Sequence, residues 1–111
     1  MQHLESQIQV QICKLLQLHK IYFHSCPNEL AGGGKSAKIR MGQFISMGLR
    51  PGVADLVVFW PSGIGYVEVK TPTGRQSDNQ KRFESRCKEY GVPYDLVRSV
   101  EDVQQLIAIH R

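Results

Sequence analysis

The stretch PGVADLVVFWPSGIGYVEVK, residues 51–70, decides the fold. Its two halves are rich in valine, isoleucine and aromatic residues, which is the composition of β-strands. The four residues between them, 60–63, read WPSG, with proline second and glycine fourth as in a type I turn. We therefore predict an antiparallel hairpin with strands over 53–59 and 64–69, joined by a four-residue loop.

The register of this hairpin brings three charged side chains together. If Phe59 pairs with Ile64, counting back along both strands places Asp55 opposite Glu68. Lys70 shares the face of Glu68, because side chains alternate with a period of two. Two opposed carboxylates repel unless a cation sits between them. Lys70 supplies part of that positive charge, and Mg²⁺ or Mn²⁺, which prefer carboxylate oxygens, would supply the rest. The alternative is a solvated strand face with an ordinary ion pair.

Length and composition are those of one small basic domain. The 111 residues predict a single domain over 1–111 with one core. Lysine and arginine number 14 against 10 acidic residues, a net charge of +4, which is common among nucleic-acid-binding proteins. Three scattered cysteines indicate neither a disulfide framework nor a zinc site. The polar N-terminus, and the lack of an apolar run of bilayer length, predict a cytoplasmic protein without a membrane partner.

The rest of the chain predicts helices around the hairpin. Apolar residues at helical spacing and terminal signals predict long helices over 5–18 and 77–90. The shorter expected elements are a strand over 21–23, a glycine-rich loop over 28–37, a short helix over 39–47, a strand over 94–97 and a closing helix over 100–109. The order α-β-β-β-α-β, followed by a terminal helix, predicts an α/β fold with a mixed sheet flanked by helices.

These residues resemble a known family. The pattern over residues 51–70 is similar to the signature of the PD-(D/E)XK nuclease superfamily. PNE at 27–29, GLRPGVAD at 48–55 and the downstream Gln80 resemble its VRR-NUC branch. Ala54 stands where many members have proline. Stand-alone members of that branch occur in bacteria and phages, and it also forms the catalytic domain of the Fanconi-associated nuclease. The resemblance implies a restriction-endonuclease-like fold with an αβββαβ core, working in a bacterial or phage-infected cell.

The resemblance also implies roles for individual residues. Asp55 and Glu68 would ligate Mg²⁺ or Mn²⁺, together with the backbone carbonyl of Val69. Lys70 would orient or deprotonate the attacking water, or neutralise charge on the phosphate. Glu5 on the first helix matches a further acidic metal ligand, although an acid in a first turn also stabilises the helix N-terminus.

Gln80 has two interpretations. The family pattern places it beside the metal or phosphate, as a catalytic residue. The stretch SDNQ, residues 77–80, is also a capping box, in which the Gln80 side chain returns to the backbone amide of Ser77. The two do not exclude each other, because a helix N-terminus is itself an anion site.

The basic residues fall into two groups. Lys35, Lys38 and Arg40 lie in or after the glycine-rich loop. Arg75 precedes the second long helix and is nearest the acidic pair in sequence. We expect these four to contact DNA, whereas the basic residues within that helix, among them Lys81, Arg82 and Lys88, fit a solvated helix face.

Together these features predict a compact DNA endonuclease that depends on Mg²⁺ or Mn²⁺. Each chain assembles one metal cluster, so cutting both strands of a duplex or junction calls for a homodimer. Family analogy favours structured DNA, four-way junctions or flaps, as the substrate. Two alternatives stay open: a non-catalytic DNA-binding module that keeps the fold, and a ribonuclease of similar fold.

Overall fold

The computed structural model of the chain describes residues 2–26, 40 and 42–111, with residues 2 and 3 as backbone only. The expected loop over 28–37, with Lys35 and Lys38, lies outside the described residues. The elements in chain order are α1 (Gln2–Leu18), β1 (Phe23–Ser25), β2 (Leu56–Trp60), β3 (Gly63–Val69), α2 (Asp78–Tyr90), β4 (Tyr94–Val97) and α3 (Val100–Ile109). Residues 40 and 42–46 are helical, within the short helix expected over 39–47.

The four strands form one mixed sheet in the order β1-β2-β3-β4. β2 pairs antiparallel with both β1 and β3, whereas β3 and β4 are parallel. Parallel neighbours need a crossover connection, and α2 supplies it. Phe59 pairs with Ile64, which confirms the predicted register. The predicted α/β fold with a mixed sheet is confirmed.

One face of the sheet carries the hydrophobic core. α1 and α3 cover this face, and their apolar stripes contact the inward side chains of the strands. Period-two alternation in the strands and helical spacing in α1 predict this face. Its fully buried members include Ile12, Leu16, Leu56, Val58, Val67, Val69, Val97 and Val103.

α2 belongs to the opposite face. Phe83 on α2 meets Tyr66 of β3 edge-on, with ring centroids 4.9 Å apart, and lies 6.0 Å from the Tyr94 ring of β4. Since neighbouring residues of a strand face opposite sides, Tyr66 and Glu68 lie on this second face together. Among the described residues, no helix is long and apolar enough to cross a bilayer.

The hairpin turn is tighter than predicted. Trp60 pairs with Gly63, so Pro61 and Ser62 alone connect the strands, in place of a four-residue loop. Gly63 adopts a φ of 144°, which an L side chain rarely tolerates. This glycine therefore allows the ladder to continue to the edge of the turn.

Two predicted strand starts are wrong, each for an identifiable reason. The first strand covers 23–25 and not 21–23, because the backbone amide of Ile21 donates to the Leu16 carbonyl and closes the end of α1. The second strand begins at Leu56 and not at residue 53. Just before it, Asp55 uses its side chain, and not its main chain, to reach β3.

Candidate active site

The three predicted charged residues converge at the open end of the hairpin. Leu56 pairs with Val67, so one further step places Asp55 beside Glu68. The Nζ of Lys70 lies 3.9 Å from Oε2 of Glu68, and the Lys70 side chain is 12% exposed. The hairpin thus presents an acid pair and an ammonium on the face that α2 covers.

Glu68 is the most constrained member of the cluster. Its exposed fraction is 1%, and it is the one buried charged residue among those described. Its Oε1 has no hydrogen-bond partner among the described residues. Burial, followed by the charge of Asp55, raises the pKa of Glu68 to about 9, while Lys70 opposes the shift. A carboxylate in this position needs either a proton or a cation.

Asp55 is held by the sheet itself. Its Oδ2 accepts a hydrogen bond of 2.7 Å from the backbone amide of Val69. Its own carbonyl accepts from the amide of Cys26, just beyond β1. These contacts on either side fix the carboxylate at the point where β2 begins.

Gln80 caps α2 as predicted and also contacts Glu68. Its Oε1 accepts from the Ser77 amide at 2.8 Å, and Ser77 Oγ accepts from the Gln80 amide, which confirms the capping box. Its Nε2 donates to Oε2 of Glu68 at 3.1 Å. The cap therefore orients the amide towards the acid pair, so the N-terminus of α2 faces the cluster. A catalytic role for Gln80 stays a prediction.

Gly52 permits the close approach that makes this possible. Its φ is +86°, and a Cβ at this position would lie 2.4 Å from the backbone C and O of Asn79. A glycine is required on both counts. The segment before Asp55 therefore rests directly on the first turn of α2, one residue from Gln80.

The loop after Lys70 is held by Arg98, for which the sequence predicted no contact. Nη1 of Arg98 donates to the carbonyls of Thr71 and Gly74, at 2.6 and 2.7 Å. Gln76 at the end of that loop donates to the hydroxyl of Tyr94. These bonds join residues 18 to 27 positions apart, a separation for which a single sequence carries no signal.

All four predicted metal ligands stay predictions: Glu5, Asp55, Glu68 and the Val69 carbonyl. Glu5 lies near enough for its charge to add to the raised pKa of Glu68. In the part of the chain that the structure describes, however, no three histidine, cysteine, aspartate or glutamate side chains converge as a metal-binding group. The charge of Asp55 acts on Glu68, so these two carboxylates lie close together.

The predicted DNA contacts remain untested. Lys35 and Lys38 lie outside the described residues, and Arg40 and Arg75 are exposed. The structure instead reveals a cleft of about 590 Å³, which we call the arginine cleft. Its lining residues are Gly48, Arg50, Pro51, Val53, Tyr66, Asn79, Arg82, Phe83 and Arg86. Arg82 is exposed, as expected of a solvated helix face, and it also lines this cleft with Arg50 from a different segment.

Comparison with known proteins identifies the family. A model of the VRR-NUC domain family matches residues 4–101. A Fanconi-associated nuclease 1 homolog of Pseudomonas aeruginosa is 46% identical over 48 residues, which are 41% of this chain and 9% of that protein. The match thus spans a small part of that relative.

Two solved structures share the fold. One, described as a VRR_NUC domain, has a TM-score of 0.68 at 22% identity and aligns over 97% of this chain and 98% of its own. The other, described as a VRR_NUC domain protein, has a TM-score of 0.73 at 16% identity, over 96% of this chain and 86% of its own. At such identities these two likenesses show the fold alone.

Proposed function

The chain belongs to the VRR-NUC family of nuclease domains, and from this premise we propose that it is an endonuclease that hydrolyses DNA phosphodiester bonds with Mg²⁺ or Mn²⁺. The observation that carries the proposal is the buried acid pair. Glu68 is 1% exposed, one of its oxygens lacks a partner among the described residues, and Asp55 lies beside it. A divalent cation held by Asp55 and Glu68 would satisfy that oxygen and offset the repulsion between the carboxylates.

The donor set fits the proposed ion. Mg²⁺ is commonly held by one or two carboxylates, with waters and substrate phosphate oxygens completing its octahedron. Asp55 and Glu68 would hold it, with the Val69 carbonyl and Glu5 as candidate further ligands. When bound, such an ion supplies Lewis-acid stabilisation of the charge that develops on the phosphate.

The remaining residues of the cluster have distinct roles in this scheme. Lys70 is near Glu68 and partly shielded from water, so its ammonium neutralises phosphate charge or positions the attacking water. Gln80 donates to Oε2 of Glu68 and holds that carboxylate in one orientation. Because its other end is fixed by the cap at Ser77, this orientation needs no further ordering when substrate arrives.

We further propose structured DNA, four-way junctions or flaps, as the substrate and a homodimer as the working unit. Glu68 beside Asp55 is the one buried carboxylate among the described residues of a chain, so two coordinated cuts need two chains. The substrate preference rests on the family resemblance, within which the matched relative is itself called a Fanconi-associated nuclease homolog.

The test is cleavage of labelled flap, splayed-arm, duplex and four-way DNA, and of RNA of matched sequence. Reactions contain Mg²⁺, Mn²⁺ or EDTA. We expect metal-dependent cuts that Lys70→Met abolishes, since methionine keeps most of the aliphatic stem and removes the charge. Lys88→Met, on the exposed part of α2, is the matched control and should cut normally.

Each other outcome selects a different function. DNA binding without cleavage under every metal condition favours the non-catalytic module. Preferential cleavage of RNA favours the ribonuclease. The molar mass of the protein in solution, measured by light scattering with and without junction DNA, tests the homodimer separately.

A further inference from the structure

We propose that the arginine cleft binds the DNA strand that is cut, taking the phosphate backbone on one side of the cleaved bond. This inference rests on the proposed nuclease function and deepens it, since it assigns substrate binding to residues outside the acid pair. Its ligand is a nucleotide segment of a DNA strand, with the phosphates on the arginines and the sugar or base against the aromatic wall.

The position of the cleft supports this assignment first. The segment 48–53 forms one wall, and the stripe of α2 that carries residues 79, 82, 83 and 86 forms the other. Three lining residues lie next to the proposed chemistry in sequence: Val53 is two residues before Asp55, and Asn79 directly precedes Gln80. Tyr66 precedes Glu68 by two residues on β3, a separation of about 7 Å along a strand. A strand with its phosphate at the acid pair therefore passes directly into the cleft.

The charge of the cleft supports the assignment next. It is lined by Arg50, Arg82 and Arg86, and among its described lining residues none is acidic. All three arginines are exposed on the residue level, so their guanidinium groups are accessible from solvent. Guanidinium groups bind phosphate oxygens in a bidentate manner, which favours a phosphate chain over a generic anion.

Two of the three arginines are held in place in the absence of ligand. Nη1 of Arg82 donates to Oδ1 of Asn79 at 2.7 Å. Nη1 of Arg50 donates to the carbonyls of Ile45 and Leu49, at 3.1 and 3.0 Å. A guanidinium has five N–H donors, so each group keeps donors for a phosphate after these bonds. Pre-ordered side chains lower the entropic cost of binding.

An aromatic surface completes the cleft. Tyr66 and Phe83 line it and pack edge to face, with ring centroids 4.9 Å apart. Aromatic walls bind sugars and unpaired bases without sequence preference, next to basic residues that follow the backbone. The volume of about 590 Å³ is within the usual range for small-ligand sites, which suits a nucleotide or two of one strand.

Binding in EDTA tests this inference apart from cleavage. The affinity for fluorescent flap DNA is measured between 50 and 300 mM salt for wild type and for two double variants of α2. Arg82→Ala with Arg86→Ala removes two charges from the cleft. Lys81→Ala with Lys88→Ala removes two charges from the same helix, at positions that do not line the cleft.

We expect the cleft variant to bind at least 10-fold more weakly at low salt. Its slope of log affinity against log salt should fall by about 1.5, since each lost phosphate contact reduces the slope by about 0.7 to 0.9. The lysine control should lose less than threefold. Equal losses of affinity in both variants overturn the inference, because they indicate that DNA is attracted by the overall positive charge of α2 and is not bound in the cleft. Thermal melts confirm that both variants are folded.

Kinetics separate this inference from the proposed function. With Mn²⁺, Arg86→Ala should raise KM severalfold with kcat little changed, and Arg86→Lys should restore part of the affinity. If wild type cuts DNA and Arg86→Ala has an unaltered KM, the cleft assignment fails while the nuclease stands. If no metal supports cutting, the nuclease fails, and the binding contrast still decides the cleft. RNA bound as tightly as matched DNA, with the same arginine dependence, overturns the choice of DNA.

Discussion

Replacing Glu68 by glutamine should make the metal-free protein more stable and inactive. The folded chain holds a proton on Glu68 up to a pKa of about 9, whereas an ordinary glutamate has a pKa of 4.5. The folded state therefore binds more protons than the unfolded state between these values, and stability falls as pH rises through that range. Glutamine is uncharged, so its free energy of unfolding lacks this dependence. Its amide can accept from Gln80 and donate towards Asp55, as a protonated Glu68 would.

The size of the effect follows from the same values. A pH of 7.5 is three units above 4.5, the ordinary pKa of glutamate. Each pH unit in this range lowers the free energy of unfolding of wild type by at most about 1.36 kcal/mol, so the total loss is at most about 4 kcal/mol. Local relaxation reduces this figure, because buried sites respond with an effective dielectric constant near 20. We expect Glu68→Gln to gain about 2 to 4 kcal/mol at pH 7.5 and about nothing near pH 4.5.

Urea unfolding in EDTA, repeated from pH 4.5 to 9, measures this difference. Glu89→Gln, on the exposed surface of α2, is the control and should stay within about 0.5 kcal/mol of wild type. Added Mn²⁺ should then stabilise wild type and leave the glutamine variant unchanged. A Glu68→Gln variant that is no more stable than wild type at pH 7.5 refutes the reasoning, since burial of the charge then has no cost.

Four further substitutions test how the site is positioned. Gly52→Ala should lower stability by at least 2 kcal/mol in thermal melts, because its Cβ meets the Asn79 backbone at 2.4 Å and its φ is positive; a normal melt contradicts the close approach. Ser77→Ala removes the cap acceptor and should cost about 1 kcal/mol of stability, with kcat largely kept. Gln80→Glu keeps the side-chain oxygen that accepts from Ser77 but loses the donor to Glu68, and it should lower kcat at least 10-fold. An unchanged kcat in Gln80→Glu shows that Gln80 is a cap only. Arg98→Lys should lose about 1.5 to 3 kcal/mol, since one ammonium replaces a guanidinium that bridges two carbonyls; an unchanged urea midpoint rules out that tie.

The parts of the site that short-range chemistry dictates were predictable from the sequence. A proline-glycine turn sets the register of a hairpin, and the register alone places Asp55, Glu68 and Lys70 on one face. The serine and Gln80 at the start of α2 likewise specify a cap within four residues. Such features depend on neighbours in the chain, so a sequence contains the information for them.

The parts that depend on packing between distant segments were not predictable. The arginine cleft exists because the segment 48–53 rests on α2, about 30 residues away. The bonds of Arg98 to the loop after β3 have the same character. The three-residue strand β1 begins two residues later than predicted, because the Ile21 amide donates to the end of α1. Hydrophobic periodicity carries no signal for such a hydrogen bond.

The hydrogen bond from the Val69 amide gives Asp55 a structural role beside its proposed role as a metal ligand. One oxygen of this carboxylate serves as a structural tether for the sheet, so truncating the side chain dismantles architecture and chemistry together. An inactive reference protein for crystallography or substrate trapping is therefore best made with asparagine at this position. The amide oxygen can preserve the tether, while the negative charge is lost and the second acceptor oxygen becomes an NH2 donor.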